Sequence, residues 1–97
     1  MPTYVTLLNW TEKGIQNVRE TTKRYQAALA VFEQMGIEIL SFHWTSGRFD
    51  AVAISEAPDD ETAAAVSLTL GSQGNIRTET LRAYTAGDMD RILAKMP

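Results

Sequence analysis

Apolar and polar residues follow two different spacings along the chain, and these spacings predict its strands and helices. Residues 3–10 are rich in β-branched and aromatic side chains, which is typical of a strand. Thr11 is suited to cap a following helix, and Gly36 to end it in the left-handed conformation. Thr21 and Thr22 weaken this segment, which is either one helix or a short helix followed by a longer one. Its apolar face recurs at intervals of three and four residues: Ile15, Val18, Thr22, Tyr25, Leu29 and Phe32.

The rest of the chain alternates between strands and helices again. A turn at Ser46-Gly47 joins two strands, and Asp59 is suited to cap the helix that follows them. Because residues 63–70 are apolar on nearly all sides, we expect this helix to be well buried. The other elements are predicted at residues 37–45 and 48–56 (strands), 75–84 (strand) and 88–96 (a short amphipathic helix).

This order, βαββαβ with a terminal helix, predicts an α+β fold of the ferredoxin-like type. Such a fold has one antiparallel sheet of strand order 4-1-3-2, with both main helices on one of its faces. Strands have a period of two, so the residues of each face can be separated. We assign to the helix side an aliphatic set: Val5, Leu7, Ile37, Ile39, Val52, Ile54 and Ile76.

The opposite face would then be aromatic and free of helices. Exposed apolar surface of that size is typical of an interface, so we expect a homodimer in which two sheets pack face to face. The alternative is a monomer whose sheet is partly covered. The residues assigned to this face are Tyr4, Leu8, Trp10, Leu40, Phe42, Trp44, Phe49, Ala51, Ala53, Leu81 and Ala83.

Composition narrows the classes of function. A chain of 97 residues with 44% hydrophobic content predicts a single globular domain, residues 1–97. The absence of cysteine excludes disulfides, thiolate metal sites and cysteine nucleophiles. The net charge of −3 without a basic stripe argues against a nucleic-acid partner. No segment has the pattern of a leader or a membrane span, so we expect a cytoplasmic protein without a membrane partner.

The hairpin holds the one histidine of the chain. A turn of two or four residues centred on Ser46-Gly47 places His43 opposite Asp50. Asn9, Thr78 and Arg48 are expected at the same end of the sheet, at a mouth between sheet and helices. A concave site with a few polar groups and apolar walls suits a small ligand.

Three interpretations of this pair stay open. His43 oriented by Asp50 could act as a general acid or base. The two residues could instead bind a ligand, or Asp50 could simply satisfy a partly buried histidine. No cofactor is predicted, and one histidine without cysteine gives no zinc site. The acids at residues 56–61 are explained by the start of a helix, without a metal ion.

Several segments together resemble the GYD domain family. They are Trp10-Thr11-Glu12-Lys13-Gly14-Ile15, Gly47-Arg48-Phe49-Asp50, residues 56–61 and residues 71–83. The family is named for a Gly-x-Tyr-Asp signature. Here Phe49 replaces the tyrosine, so no phenolic hydroxyl at this position is essential, whereas Asp50 is retained. The resemblance implies a ferredoxin-like, dimeric α/β-barrel architecture and assigns no catalytic residue.

These observations lead to one main hypothesis and two alternatives. The main hypothesis is a small homo-oligomeric protein that binds a small molecule in a cleft near His43 and Asp50. The first alternative is a cofactor-independent enzyme of the isomerase or oxygenase type, with His43 as its acid or base. The second is a purely structural assembly module.

Overall fold

A computed structural model describes all residues, 1–97, and shows a four-stranded sheet with helices on one side. The sheet is antiparallel with strand order β2-β3-β1-β4, which is the predicted order read from the opposite edge. The predicted α+β, ferredoxin-like fold is therefore confirmed. No helix has the length and apolar character needed to cross a membrane. The elements are β1 (Thr3–Trp10), α1 (Glu12–Gln16), a 3₁₀ turn (Val18–Glu20), α2 (Thr21–Gln34), β2 (Glu38–Trp44), β3 (Ala51–Glu56), α3 (Asp60–Ser72), β4 (Ile76–Ala83) and α4 (Ala86–Leu93).

The helix ends follow the capping residues in the sequence. The Thr11 hydroxyl accepts a hydrogen bond from the Gly14 N–H at 3.1 Å, and the Asp59 carboxylate accepts one from the Thr62 N–H at 2.7 Å. Gly36 follows α2 with a φ of 78°, in the left-handed region. The first helical segment breaks between α1 and α2, so the chain adopts the short-then-long arrangement.

For β1, β3 and the hairpin aromatic residues, the two faces of the sheet are the reverse of the prediction. Ile37, Ile39 and Ile76 do lie on the helix side, and Leu81 lies on the helix-free side, as predicted. Tyr4 and Leu8 are 6% and 8% exposed and lie under the helices, whereas Val5 is paired with Ile54 and Leu81, which are 38% and 48% exposed. The assignment of the aromatic face as the helix-free dimer surface was therefore wrong. We call the helix-free side of the sheet the open face; its aliphatic residues are Val5, Leu7, Val52, Ile54 and Leu81.

A β-bulge explains part of this error. The register of β2 against β3 shifts between Ile39 and Ser41, so Ile39 lies on the same side as Phe42 although their numbers differ in parity. Small side chains explain the rest. Ala51 and Ala53 are only 5% and 7% exposed, because residues of this size leave room for the helices and the aromatic side chains above them.

The core is thin. One cluster contains Tyr4, Phe32, Ile37 and Ala57, and a second contains Leu8, Ala51 and Ala53. No residue of α3 is buried, and Leu68 is 74% exposed. The expectation of a well-buried α3 was therefore wrong, because this helix covers the sheet with one side only.

Helix α4 carries apolar residues that remain in contact with solvent. Met89, Ile92 and Leu93 are between 37% and 53% exposed. Thr85 and Asp88 form a capping box that fixes the start of the helix. With α4, the molecule measures 52 × 31 × 19 Å, so it is a thin slab rather than a sphere.

Candidate functional site

The hairpin has a different register from the predicted one. His43 lies opposite Val52 and Trp44 opposite Ala51, and the Thr45 N–H donates to the Asp50 carbonyl at 2.9 Å. The loop is even, with four residues, but it is centred one residue further along the chain. His43 therefore does not face Asp50, and no hydrogen bond or ion pair joins them. The predicted pair was wrong, and His43 lies exposed on the open face.

Asp50 instead ties the start of β3 to the end of β1. Its carboxylate Oδ2 accepts a hydrogen bond from the Trp10 N–H at 2.9 Å, and its own N–H donates to the Leu8 carbonyl at 2.8 Å. The sequence indicated that Asp50 matters without indicating this partner. Its contacts with β1 explain why a carboxylate is useful at this position.

The other predicted site residues are only partly brought together. Asn9 and Asp50 both line the cleft described below. Thr78 is paired with Leu8 in the sheet, outside the lining of that cleft, and Arg48 lies in the hairpin loop with its guanidinium 5.6 Å from the Phe49 ring centre. A role of any of them in ligand binding stays a prediction.

A cleft runs over the helix side of the sheet, between α2 and α3. Its cavity volume is about 130 Å³, and 17 of its 27 lining residues are hydrophobic. Small residues of the sheet, such as Thr6 and Ala53, form its floor. Phe32 of α2 and Val66 of α3 belong to its walls. Such a cavity suits a small, mainly apolar ligand.

An aromatic cluster lies at the hairpin end of the cleft. The Tyr25 ring centre is 4.5 Å from that of Phe42 and 5.5 Å from that of Trp44. The Trp44 Nε1–H donates to the Thr21 hydroxyl at 3.1 Å, which joins β2 to the first turn of α2. Sequence reasoning missed these residues as cleft residues because it placed Phe42 and Trp44 on the helix-free face. Phe42 and Trp44 lie opposite Ala53 and Ala51 in the hairpin. This pairing of large with small side chains was the signal in the sequence that could have indicated the covered face.

Two charged residues line the cleft, Arg24 and Asp50. The Arg24 Nη1 donates to the Asn17 carbonyl at 2.9 Å, which holds the guanidinium near the start of α2. The Nη2 of Arg24 is shielded from solvent and has no hydrogen-bond partner. The cleft therefore contains an unsatisfied cationic donor. No group of three acidic or histidine side chains could hold a metal ion here or elsewhere in the chain.

The far end of the cleft is closed by a contact between β1 and α3. The Tyr4 hydroxyl donates to the Asp60 carboxylate. Burial raises the pKa of the Tyr4 hydroxyl, and the hydrogen bond to Asp60 and its negative charge raise it further. Tyr4 thus stays neutral at physiological pH and acts as a donor.

Comparison with known proteins identifies the family of this chain. The family model described as GYD domain matches residues 4–93. The chain belongs to the GYD domain family. A protein of Thermus thermophilus named "Glutamine synthetase and cystathionine beta-lyase binding protein" is 29% identical over 90 residues, which cover 92% of this chain and 95% of that relative. The predicted family is confirmed.

Two segments of the GYD domain that carried the resemblance meet in space. The Thr11 N–H donates to the Asn75 carbonyl at 3.1 Å, and the Thr11 hydroxyl donates to the Gly74 carbonyl at 2.5 Å. A Cβ on Gly14 would lie 1.9 Å from the Asn75 carbonyl oxygen. Helix α1 therefore packs directly against the turn that enters β4. Asn75 of this turn lines the cleft.

Proposed function

We propose that this protein is a small binding protein that docks on another protein, an enzyme of small-molecule metabolism. The observation that carries the proposal is the relative from Thermus thermophilus, whose name states that it binds glutamine synthetase and cystathionine beta-lyase. The alignment spans almost the whole of both chains, so it supports a role of the whole domain.

Direct binding measurements test this proposal. The purified protein is immobilised and titrated with purified glutamine synthetase and, separately, with purified cystathionine beta-lyase, while serum albumin serves as the unrelated control. We expect saturable binding of at least one enzyme and none of albumin. Lack of saturable binding to both enzymes would contradict the proposal. The variants Ile54→Lys and Leu68→Lys show whether the contact lies on the open face or on α3.

The proposal includes self-association, in which the open face packs against a second copy of the chain. The accessible surface is 6629 Å², whereas a monomer of this mass is expected to expose about 5,500 Å². Val5 and Leu7 lie at the centre of the open face, and Arg77 and Glu79 lie at its β4 edge. Arg77 of one copy can pair with Glu79 of another, so this edge is complementary to itself.

A second role, binding of a small molecule, is supported by the cleft between α2 and α3. Its volume of about 130 Å³ and its mainly hydrophobic lining favour a ligand of a few carbon atoms. The proposed ligand would bind on the helix side, away from His43. Trp10 and Trp44, the two tryptophans of the chain, both line the cleft. A saturable change of tryptophan fluorescence on titration with a neutral probe such as phenylacetamide tests whether the cleft binds a small molecule.

The two alternative functions have less support. An enzyme with His43 as acid or base needs a group that orients the imidazole, and His43 has no hydrogen-bond partner on the open face. A purely structural module would self-associate but bind neither enzyme nor small molecule. The binding experiments above distinguish it from the proposed function.

A further inference from the structure

We propose that the cleft binds a small carboxylate with an apolar body, and that Arg24 receives the carboxylate group. The inference rests on the proposed role of the cleft as a small-molecule site and adds the chemical class of its ligand. It is carried by the hydrogen-bonding state of Arg24, by the distribution of charge along the cleft, and by the volume of the cleft.

Arg24 has more donors than the protein satisfies. A guanidinium carries five N–H donors in a fixed plane, and within the protein Arg24 donates one hydrogen bond, from Nη1 to the Asn17 carbonyl. Nη2 is shielded from solvent and has no partner. An unsatisfied donor on a charged group is costly, and native proteins seldom retain one without a partner such as a ligand. The group that best fits a guanidinium is a carboxylate, which accepts two parallel hydrogen bonds.

A carboxylate that reaches Nη2 exchanges an unsatisfied buried donor for a charge-assisted hydrogen bond, which favours the bound state.

The two charged residues that line the cleft lie toward its hairpin end. Arg24 lies one turn into α2, and Asp50 immediately precedes β3 at the hairpin. The opposite end is lined by Phe32, Ile37 and Ala57, which belong to the apolar core. A ligand that enters the cleft therefore places its charged group at Arg24 and its apolar body toward Phe32.

The volume limits the size of the apolar body. A cavity of about 150 Å³ lined by apolar side chains accommodates benzene, and this cleft has about 130 Å³. The ligand body is thus a single ring or a short branched chain. Simple carboxylic acids and apolar amino acids both fit this description. Asp50 distinguishes them, because its carboxylate would attract the ammonium group of an amino acid and repel a plain anion.

The test compares three ligands that share one carbon skeleton. 4-Methylpentanoate carries the carboxylate alone, L-leucine adds an ammonium group, and 4-methylpentanamide is the neutral counterpart. Phenylacetate and phenylacetamide form a second pair with an aromatic body. Each is titrated into the wild-type protein, followed by tryptophan fluorescence and by calorimetry. Arg24→Met removes the guanidinium, and Arg19→Met is the matched control because Arg19 is exposed and outside the cleft.

We expect at least one carboxylate to bind about tenfold more tightly than its amide, and Arg24→Met but not Arg19→Met to abolish that preference. A preference for L-leucine over 4-methylpentanoate identifies amino acids as the ligands, and the reverse order identifies simple acids; both support the carboxylate site. Equal binding of acids and amides overturns the inference and leaves the cleft as a small-molecule site. Absence of binding by all five compounds overturns the inference and the proposed small-molecule role together.

Arg24→Met could also weaken folding, because it removes the hydrogen bond to Asn17. Circular dichroism spectra and melting curves of each variant control for this. Arg24→Lys provides a second comparison, since it keeps the positive charge without the planar fork. If Arg24→Met does not fold, retention of the full preference for carboxylates by Arg24→Lys overturns the bidentate role of Arg24, and a partial loss of that preference supports it.

Discussion

Gly14 is the residue at which the packing leaves least room for change. Its missing side chain allows α1 to lie against the turn before β4, where a Cβ would come within 1.9 Å of the Asn75 carbonyl oxygen. We predict that Gly14→Ala destabilises the protein by about 1–3 kcal/mol, because the backbone must move to relieve the overlap. Urea unfolding followed by circular dichroism measures this change.

Gly71 provides the matched control. It lies inside α3, and a Cβ at this position meets no atom within 4 Å. Because alanine favours a helix over glycine, Gly71→Ala should be neutral or stabilise the protein by about 0.5–1 kcal/mol. A Gly14→Ala variant as stable as Gly71→Ala would contradict the close contact between α1 and the β4 turn.

Asp50 supports the sheet through its hydrogen bond with the Trp10 N–H at 2.9 Å. Asp50→Ala leaves that backbone donor without a partner in a partly buried place, so we predict a loss of about 1–3 kcal/mol in the free energy of unfolding. Asp50→Asn keeps an acceptor oxygen and should lose less. His43→Ala should change stability by less than about 0.5 kcal/mol, since His43 is exposed and unpaired. A similar loss in His43→Ala and Asp50→Ala would instead indicate that the two residues are coupled.

The contrast between capping residues and the hairpin shows which residue-level features a sequence can predict. Thr11 and Asp59 act within three residues of themselves, so local pattern was sufficient to identify them. The partner of Asp50 is the backbone of Trp10, 40 residues away. Neither residue type nor spacing indicates a backbone partner at that distance, and the sequence therefore points to His43 as the partner instead.

At the scale of elements, the start of α3 makes stability dependent on pH. The Thr62 N–H hydrogen bond lowers the pKa of Asp59 below its ordinary value of 3.8, with a smaller contribution from the Thr62 hydroxyl. The unfolded chain therefore binds this proton more readily than the folded chain does. The cap contributes fully above the ordinary pKa, and its contribution is lost as the pH falls through the lower, folded pKa.

We predict that the melting temperature falls as the pH drops below about 5 and continues to fall below the ordinary pKa of 3.8, and that it falls less in Asp59→Asn, since asparagine caps a helix without titrating. Thermal unfolding followed at several pH values measures how steeply the melting temperature depends on pH in the wild-type protein and in Asp59→Asn. The carboxylate of Asp88, whose pKa is lowered by the Thr85 N–H, titrates in both proteins and so does not affect the comparison. Equal slopes in the two proteins would show that Asp59 does not contribute to acid unfolding.

The sequence predicts where the elements lie better than it predicts which side of them is covered. The strands and the break before α2 follow from residue types and spacing within each segment. The faces could not be chosen in this way, because both sides of the sheet are apolar. The bulge between Ile39 and Ser41 also changes the parity of β2. The small volume of Ala51 and Ala53, rather than hydrophobicity, decides that the helices cover their side.

At the scale of the whole molecule, the chain is more extended than a protein of this length usually is. Its radius of gyration is 14.7 Å, whereas about 12.5 Å is expected for a compact monomer. Eight of 97 residues are buried. Because hydrophobic burial is the main favourable contribution to folding, a core of this size leaves little stability to the isolated chain. The open face and the apolar residues of α4 are the surfaces whose burial can supply the additional stability.

If a second copy covers the open face, folding and association are coupled and stability depends on protein concentration. We predict that tenfold dilution lowers the melting temperature of the wild-type protein by about 3–5 °C, the shift expected when an association of two such chains is diluted. Ile54→Lys places a charge within the open face and should both lower the melting temperature and remove its dependence on concentration. Leu68→Lys is the matched control, since Leu68 is 74% exposed on α3 and should retain that dependence. A wild-type melting temperature that is the same at all concentrations, with a monomer mass by light scattering, would show that the thin core is sufficient by itself.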